Sequence, residues 1–260
     1  MNNPVALLRD IERYGVDHRS PFNLTPLMSA ARAGNIALVQ QLLDRGADPS
    51  LTGNDGLAAY HHVLSAAVST PRYAQQKSAQ LYTLLKPESL SLQVDGRLIK
   101  LDNRQMSMFL VLLMQALFHT HLGGALVFSE AFSAARLAEC VVHLPEALLP
   151  GRRKRRSYIS SQLSQHEVNS KHPYGKKLFL RLNHGQYILN PGLKIRQGER
   201  WCAVYALQSP EDLGHDLQTY LQDMSPELVK ILGGKKDVYK YSEEAVGYWA
   251  EMIRRAAQKT

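Results

Sequence analysis

Residues 23–56 read NLTPLMSAARAGNIALVQQLLDRGADPSLTGNDG, and this stretch decides the fold. Thr25-Pro26-Leu27 opens a helix: the Thr25 hydroxyl can cap it, and Pro26 sits where a missing N–H loses no bond. Ala30 and Ala31 are small enough to let neighbouring helices approach. Gly34 ends the helix and Asn35 starts another. Leu38, Val39, Leu42 and Leu43 then follow helical spacing and mark a buried face. Gly46 stops this second helix, and Ala47-Asp48-Pro49 leads into the next turn.

Weaker copies lie on both sides. Leu7, Leu8 and Ile11, followed by Tyr14-Gly15-Val16-Asp17, have the form of a second helix and its exit turn. Asn54-Asp55-Gly56-Leu57-Ala58-Ala59-Tyr60-His61 has the form of a new start, and beyond Ser69-Thr70-Pro71 a helix follows from about Tyr73 to Leu85. The 23–56 unit resembles an ankyrin repeat, with Tyr60 and His61 standing where the family prefers Leu and His in the next copy. The resemblance implies about two and a half repeats over residues 1–86, and a surface that docks an unidentified protein rather than an active site. Solenoids usually need about three repeats to bury enough surface. A second reading is therefore a cap packed on the rest of the chain.

The charge points to a different segment. The chain has 260 residues, 45% of them hydrophobic, and a formal net charge of +8. From Ala147 to Arg200 there are twelve Lys/Arg against two acids, Glu167 and Glu199. The remainder is slightly acidic, so the basicity belongs to this one stretch, which predicts an anionic partner. Two distant cysteines, Cys140 and Cys202, fit a reducing compartment. The start, Met1-Asn2-Asn3-Pro4-Val5, has no basic region followed by a long apolar run, and the longest apolar run, from Met108 to Phe118, is interrupted by Gln115. These features predict a cytoplasmic protein that does not use a membrane.

After Lys86-Pro87 the pattern changes. Leu90, Leu92 and Val94 alternate up to Asp95-Gly96, and Arg97, Ile99 and Leu101 alternate after it. Asp-Gly between alternating runs predicts a tight hairpin with Leu92 facing Ile99 and Leu90 facing Leu101. Asp102 or Asn103 can cap a helix whose apolar stripe is Met106, Phe109, Leu110, Leu113, Met114 and Leu117, ended by Gly123-Gly124. A second helix is predicted from Ser129, carrying Phe132, Ala135, Leu137 and Val141. Arg152-Arg153-Lys154-Arg155-Arg156 then leads into a third, with Tyr158, Ile159, Leu163 and His166. A second hairpin runs through Leu178-Phe179-Leu180-Arg181-Leu182, turns at Asn183-His184-Gly185 and returns along Gln186 to Leu189.

The order of hairpin, helix, helix, basic helix and hairpin resembles the winged helix-turn-helix effector domain of response-regulator-type transcription factors, over residues 89–191. Leu180 to Leu189 is similar to that family's wing, and Ile159-Ser160-Ser161-Gln162-Leu163 to the start of its recognition helix. The resemblance implies binding to double-stranded DNA and transcription regulation. Arg152, Arg153, Lys154, Arg155 and Arg156, with Lys176, Lys177 and Arg181, would then meet phosphates, and Ser157, Ser161, Gln162 and Gln165 would lie in the major groove. The family helix usually carries bases along its middle, whereas this one has Gln162, Ser164 and Gln165 there. Gln can read adenine edges, while the preceding basic cluster supplies mostly sequence-independent affinity. A solvated loop is the other reading of that cluster. Tyr174 and Tyr187 read as packing residues rather than base stackers.

The C-terminal region, 192–260, reads as helical after a loose strand at Trp201 to Leu207. Helix starts stand at Ser209-Pro210 and Ser225-Pro226, and a last helix from Ser242 has an apolar face through Trp249 and Ile253. That face reads as core, with a homodimer seam as the alternative. No glycine phosphate loop or nucleophile elbow occurs, so a non-enzymatic protein is expected. His119 with His121, and Cys140 with His143, lack a second pair at ligand spacing, so no metal or other cofactor is expected. The sequence thus predicts a mostly helical α+β protein: a short ankyrin solenoid over 1–86, a winged helix-turn-helix over 89–191, and a helical region over 192–260. The competing functional reading is an ankyrin adaptor or effector whose basic face meets an acidic protein, RNA or a membrane surface.

Overall fold

A computed structural model describes residues 4–20, 23–53, 56–120, 131–190 and 192–204. Among these residues it shows an α+β protein whose strands pair antiparallel in two sheets. Gly123-Gly124, Ser129 and the helix starts beyond Ser209 lie outside these residues, as does the proposed dimer seam.

The helices of the first third form where the turn chemistry places them. Helix α1 covers Pro4–Tyr14, α2 Pro26–Ala33 and α3 Ile36–Asp44. The Thr25 hydroxyl accepts from the Met28 N–H at 3.2 Å, and the Asn35 side chain accepts from the Leu38 N–H at 3.1 Å. Gly34, between the two helices, has φ +72°, a left-handed conformation that favours glycine. The Asp17 carboxylate accepts from the Asp48 N–H at 3.2 Å and so links the exit turns of α1 and α3. Arg19 donates to the carbonyls of Asn23 (2.9 Å) and Thr52 (2.8 Å), joining successive loops. Helix α4 covers Ala59–Ser69. Next comes one continuous helical run made of α5 (Pro71–Tyr73), a π-helical turn (Ala74–Ser78) and α6 (Ala79–Leu85).

Strands β1 (Ser89–Val94) and β2 (Arg97–Asp102) form the expected hairpin. Leu92 pairs with Ile99 and Leu90 with Leu101. Asp95 and Gly96 have φ +48° and +72°, the two positive values that a tight type I′ turn demands. Helix α7 spans Met106–Thr120, starting later than a cap at Asp102 or Asn103 would place it. The Asp102 carboxylate instead accepts from the Arg104 N–H, and the Gln105 N–H bonds to the Asp102 carbonyl, so a turn precedes the helix.

The helix expected from Ser129 is corrected. Phe132–Ser133 is a short strand, β3, pairing with Tyr187 and Gln186. Helix α8 (Ala134–Val141) begins only after Ser133, whose hydroxyl accepts from the Arg136 N–H at 3.1 Å. The basic run is split as well. Helix α9 covers Gly151–Lys154, Arg155 is extended, and α10 covers Arg156–Gln165. Strands β4 (Phe179–Asn183) and β5 (Gln186–Leu189) form the second hairpin, and the second sheet has the order β3-β5-β4. The first stretch of the region read as helical is corrected too: β6 (Lys194–Gln197) is a strand, while β7 (Arg200–Ala203) falls at the start of the loose strand expected from Trp201. Ile195 pairs with Leu92, giving the first sheet the order β2-β1-β6-β7. The strands form because Ile195 faces the same core as Leu92, which a paired strand satisfies and a helix would not.

One hydrophobic cluster runs through the molecule, from Ile11 in α1 to Val204 after β7. Helix α4 packs on both α2 and α7, so the repeat unit and the second half share this core. Phe109 of α7 meets Tyr82 of α6 edge-on, with ring centroids 6.3 Å apart. Gln75 donates to the His143 carbonyl at 2.6 Å across the same junction. As a result α7 is buried all round from Met106 to Leu117, Ser107 and Gln115 included. Among the described residues no helix is long and apolar enough to cross a membrane.

Candidate nucleic-acid interface

Helix α10 is fixed by Ile159 and Leu163, both fully buried one turn apart, and it packs on α8. Ser157 and Ser161, also one turn apart, are exposed on another face. Gln162 and Gln165, which the sequence places on the open face, are half-buried, and the Gln162 amide donates to the Gln165 side-chain oxygen at 3.5 Å. They stand three positions apart, so the Gln162 amide reaches Gln165 along the helix surface.

The five bases before α10 do not form one uniform cluster. Arg152, Arg155 and Arg156 are exposed, and their side chains have no hydrogen-bond or ion-pair partner among the described residues. Arg153 and Lys154 are half-buried. Arg153 donates to the Arg104 carbonyl at 2.9 Å, fastening α9 to the turn before α7. Lys154 donates to the Leu144 carbonyl and lies 3.6 Å from Glu146. The Glu146 carboxylate also accepts from the Gly151 N–H at 3.0 Å, where a negative charge suits the start of α9.

The bases assigned to the wing are engaged within the chain. Lys176 donates to the Gln105 side-chain oxygen at 2.5 Å, and burial lowers its pKa. Lys177 pairs with Asp95 at 2.8 Å, so a base beside the second hairpin is tied to the turn of the first. Arg181 pairs with Glu167 at 2.8 Å, donates to the Tyr187 hydroxyl at 2.7 Å, and stacks 5.1 Å from the centroid of the Tyr187 ring. Ser164 joins this group through the Tyr187 hydroxyl at 3.2 Å. The network binds β4 and β5 to α10. Asp95 lies in the first hairpin, far along the chain from Lys177, and Glu167 belongs to the basic stretch itself, where the sequence does not specify which base it meets; folding selects both pairs.

Tyr187 is buried, as a packing residue should be, but Tyr174 is 75% exposed. It sits in the connection between α10 and β4, where its N–H donates to the His172 ring at 3.2 Å. His166, at the end of α10, is buried, and its Nδ1 has no partner among the described residues. Its backbone carbonyl accepts from the Leu178 and Phe179 N–H groups at 2.7 and 3.2 Å, fixing the helix end against β4. Burial, and then the Lys176 and His172 charges, push the His166 pKa down to about 4. The ring therefore stays neutral at physiological pH.

On the repeat side, an open groove of about 790 Å³ lies between the α2–α3 junction and the helical run that ends in α6. Asn35, Gln40, Lys77 and Gln80 give it polar walls. No curated protein and no solved structure matches the chain. Residues 22–54 match the family model "Ankyrin repeat", a segment whose likeness points to protein–protein interaction.

Proposed function

We propose that this is a non-enzymatic DNA-binding regulator that docks a protein partner through its repeat side. The observation that carries the reading is the return of β3 to pair with β5. The succession of helix α7, strand β3, helices α8, α9 and α10, and hairpin β4–β5, with β3 beside β5, supports the winged helix-turn-helix reading. In that arrangement α10 is the helix offered to the major groove. Arg152, Arg155 and Arg156 stand at its start to meet phosphates, and Ser157 and Ser161 lie on its open face. Lys176, Lys177 and Arg181 act on the DNA only indirectly, by holding the wing in place.

The polar groove beside Gly34 is the surface offered to the protein partner. Its position at an inter-helix junction matches the docking role that an ankyrin unit implies. The internal pairing of the wing bases supports a second reading, in which the winged helix is a scaffold and the protein an adaptor.

Fluorescence anisotropy on a random duplex across a salt series tests the first reading. Affinity should fall steeply with salt. The Arg152→Ala/Arg155→Ala/Arg156→Ala variant should bind more weakly with a flatter slope, by about 0.9 for each phosphate no longer neutralised. Absence of salt-dependent duplex binding would leave the adaptor reading in its place.

A further inference from the structure

We propose that the cavity between the repeat unit and the four-stranded sheet binds a small aromatic carboxylate. The cavity measures about 330 Å³ and is walled by α4, the end of α6, α7, β1 and β6. This is the lower end of the size range of small-molecule sites.

The polar chemistry of the cavity follows from one backbone group. The Ala58 N–H donates to His61 Nδ1 at 3.0 Å, so in the neutral ring Nδ1 is the acceptor and Nε2 carries the proton. His61 Nε2 faces a Gln115 side-chain oxygen at 3.4 Å and donates to it. That contact fixes the orientation of the Gln115 amide: its oxygen meets His61, and its NH2 group is left as a donor. Gln115 is only 2% exposed, lines the cavity, and has no other hydrogen-bond partner among the described residues. A buried amide donor stays hydrated or takes an acceptor, because leaving it bare costs about 1–3 kcal/mol.

The rest of the lining states what kind of acceptor. Among the described residues no Asp or Glu lines the cavity, whereas Lys86 and Arg196 do. Arg196 is already held by the Gly198 carbonyl at 3.0 Å and by Glu199 at 3.2 Å. The Lys86 ammonium lies 6.0 Å from the centroid of the Tyr82 ring and has no ion pair among the described residues, so it is the cation left for a ligand. Tyr60 and His61 present rings with centroids 4.3 Å apart, and Leu84 and Pro87 add apolar wall. The free Gln115 amide group, one ammonium and an aromatic wall suit a flat ring bearing a carboxylate. Such a ligand would touch the repeat side and the sheet side at once.

Titration of the full-length chain with benzoate, followed by saturation-transfer NMR and thermal shift, tests this. Benzamide and inorganic phosphate serve as comparators. Benzoate should bind saturably and raise the melting temperature, with benzamide and phosphate each at least about tenfold weaker. Gln115→Leu and Lys86→Gln should each weaken benzoate about fivefold, the effect of removing one hydrogen bond or one charge. If Gln115→Leu fails to fold, Lys86→Gln at the cavity edge decides alone. No saturable binding, benzamide equal to benzoate, phosphate equal to benzoate, or indifference to Lys86→Gln would each overturn the proposal.

Discussion

The Tyr73 hydroxyl donates to the Ala31 carbonyl at 2.5 Å, which lays the Tyr73 ring directly against Gly34. A Cβ on Gly34 would lie 2.9 Å from Tyr73 Cε2, and the backbone there has φ +72°. Gly34 is therefore required twice, once for its conformation and once for the space it leaves. Gly34→Ala should destabilise the protein by about 1–3 kcal/mol in urea unfolding. Tyr73→Phe, which removes only the hydroxyl, should cost about 0.5–1.5 kcal/mol.

The two neighbouring leucines of α3 should separate in the same assay. Leu42 is completely buried, whereas Leu43 is only partly so and packs at the edge of the core. Leu42→Ala should cost about 2–5 kcal/mol. Leu43→Ala should cost clearly less, and equal costs would contradict the difference in burial.

Acid should weaken the fold through His166. An unfolded His ring takes up a proton below about 6.5, whereas the buried ring resists until about 4. Between those values the unfolded chain binds more protons, so stability falls as pH drops through the window. Urea midpoints measured at pH 7, 6 and 5 should decline, and His166→Gln should flatten the decline.

Gln162→Ala separates reading a site from holding a backbone. For a sequence-specific regulator the change should lower affinity for a selected site by about 1–3 kcal/mol and leave random duplex almost unaffected. Binding that is unchanged on both would assign all affinity to Arg152, Arg155 and Arg156. Arg181→Ala should act differently, lowering stability first, because its partners are Glu167 and Tyr187.

Removal of residues 1–86 should cause aggregation, visible by light scattering, because α4 would no longer cover α7. A truncated chain that stays monomeric and keeps its helix content would show that the shared core is dispensable.

The first hairpin was legible down to its register, because Asp95-Gly96 and the alternating apolar residues specify the same pairing. The caps at Thr25 and Asn35 were legible for a similar reason: each acts within three residues. Long-range features were not. The stripe read on α7 left Val111, Leu112 and Ala116 without a role, and they are buried because α4 covers that face. Phe132 read as helical because its strand is two residues long and exists only through Tyr187. The charge excess of the basic stretch is plain in the sequence, but the pairing of Lys177 with the distant Asp95, and of Arg181 with Glu167 in particular, is set by the fold.

Strand β1 is flanked by two strands of very different origin. Its Leu92 pairs with Ile99 a few residues away and also with Ile195, on the far side of the whole second unit. The first hairpin can close within microseconds, whereas the second pairing waits for the intervening chain to be gathered. Until then β1 presents an open edge bearing Leu90, Leu92 and Val94, a template for any other extended chain. During synthesis that edge stays uncovered until β6 is complete. The interval between making Val94 and making Ile195 is thus when this protein is most exposed to mispairing with its neighbours.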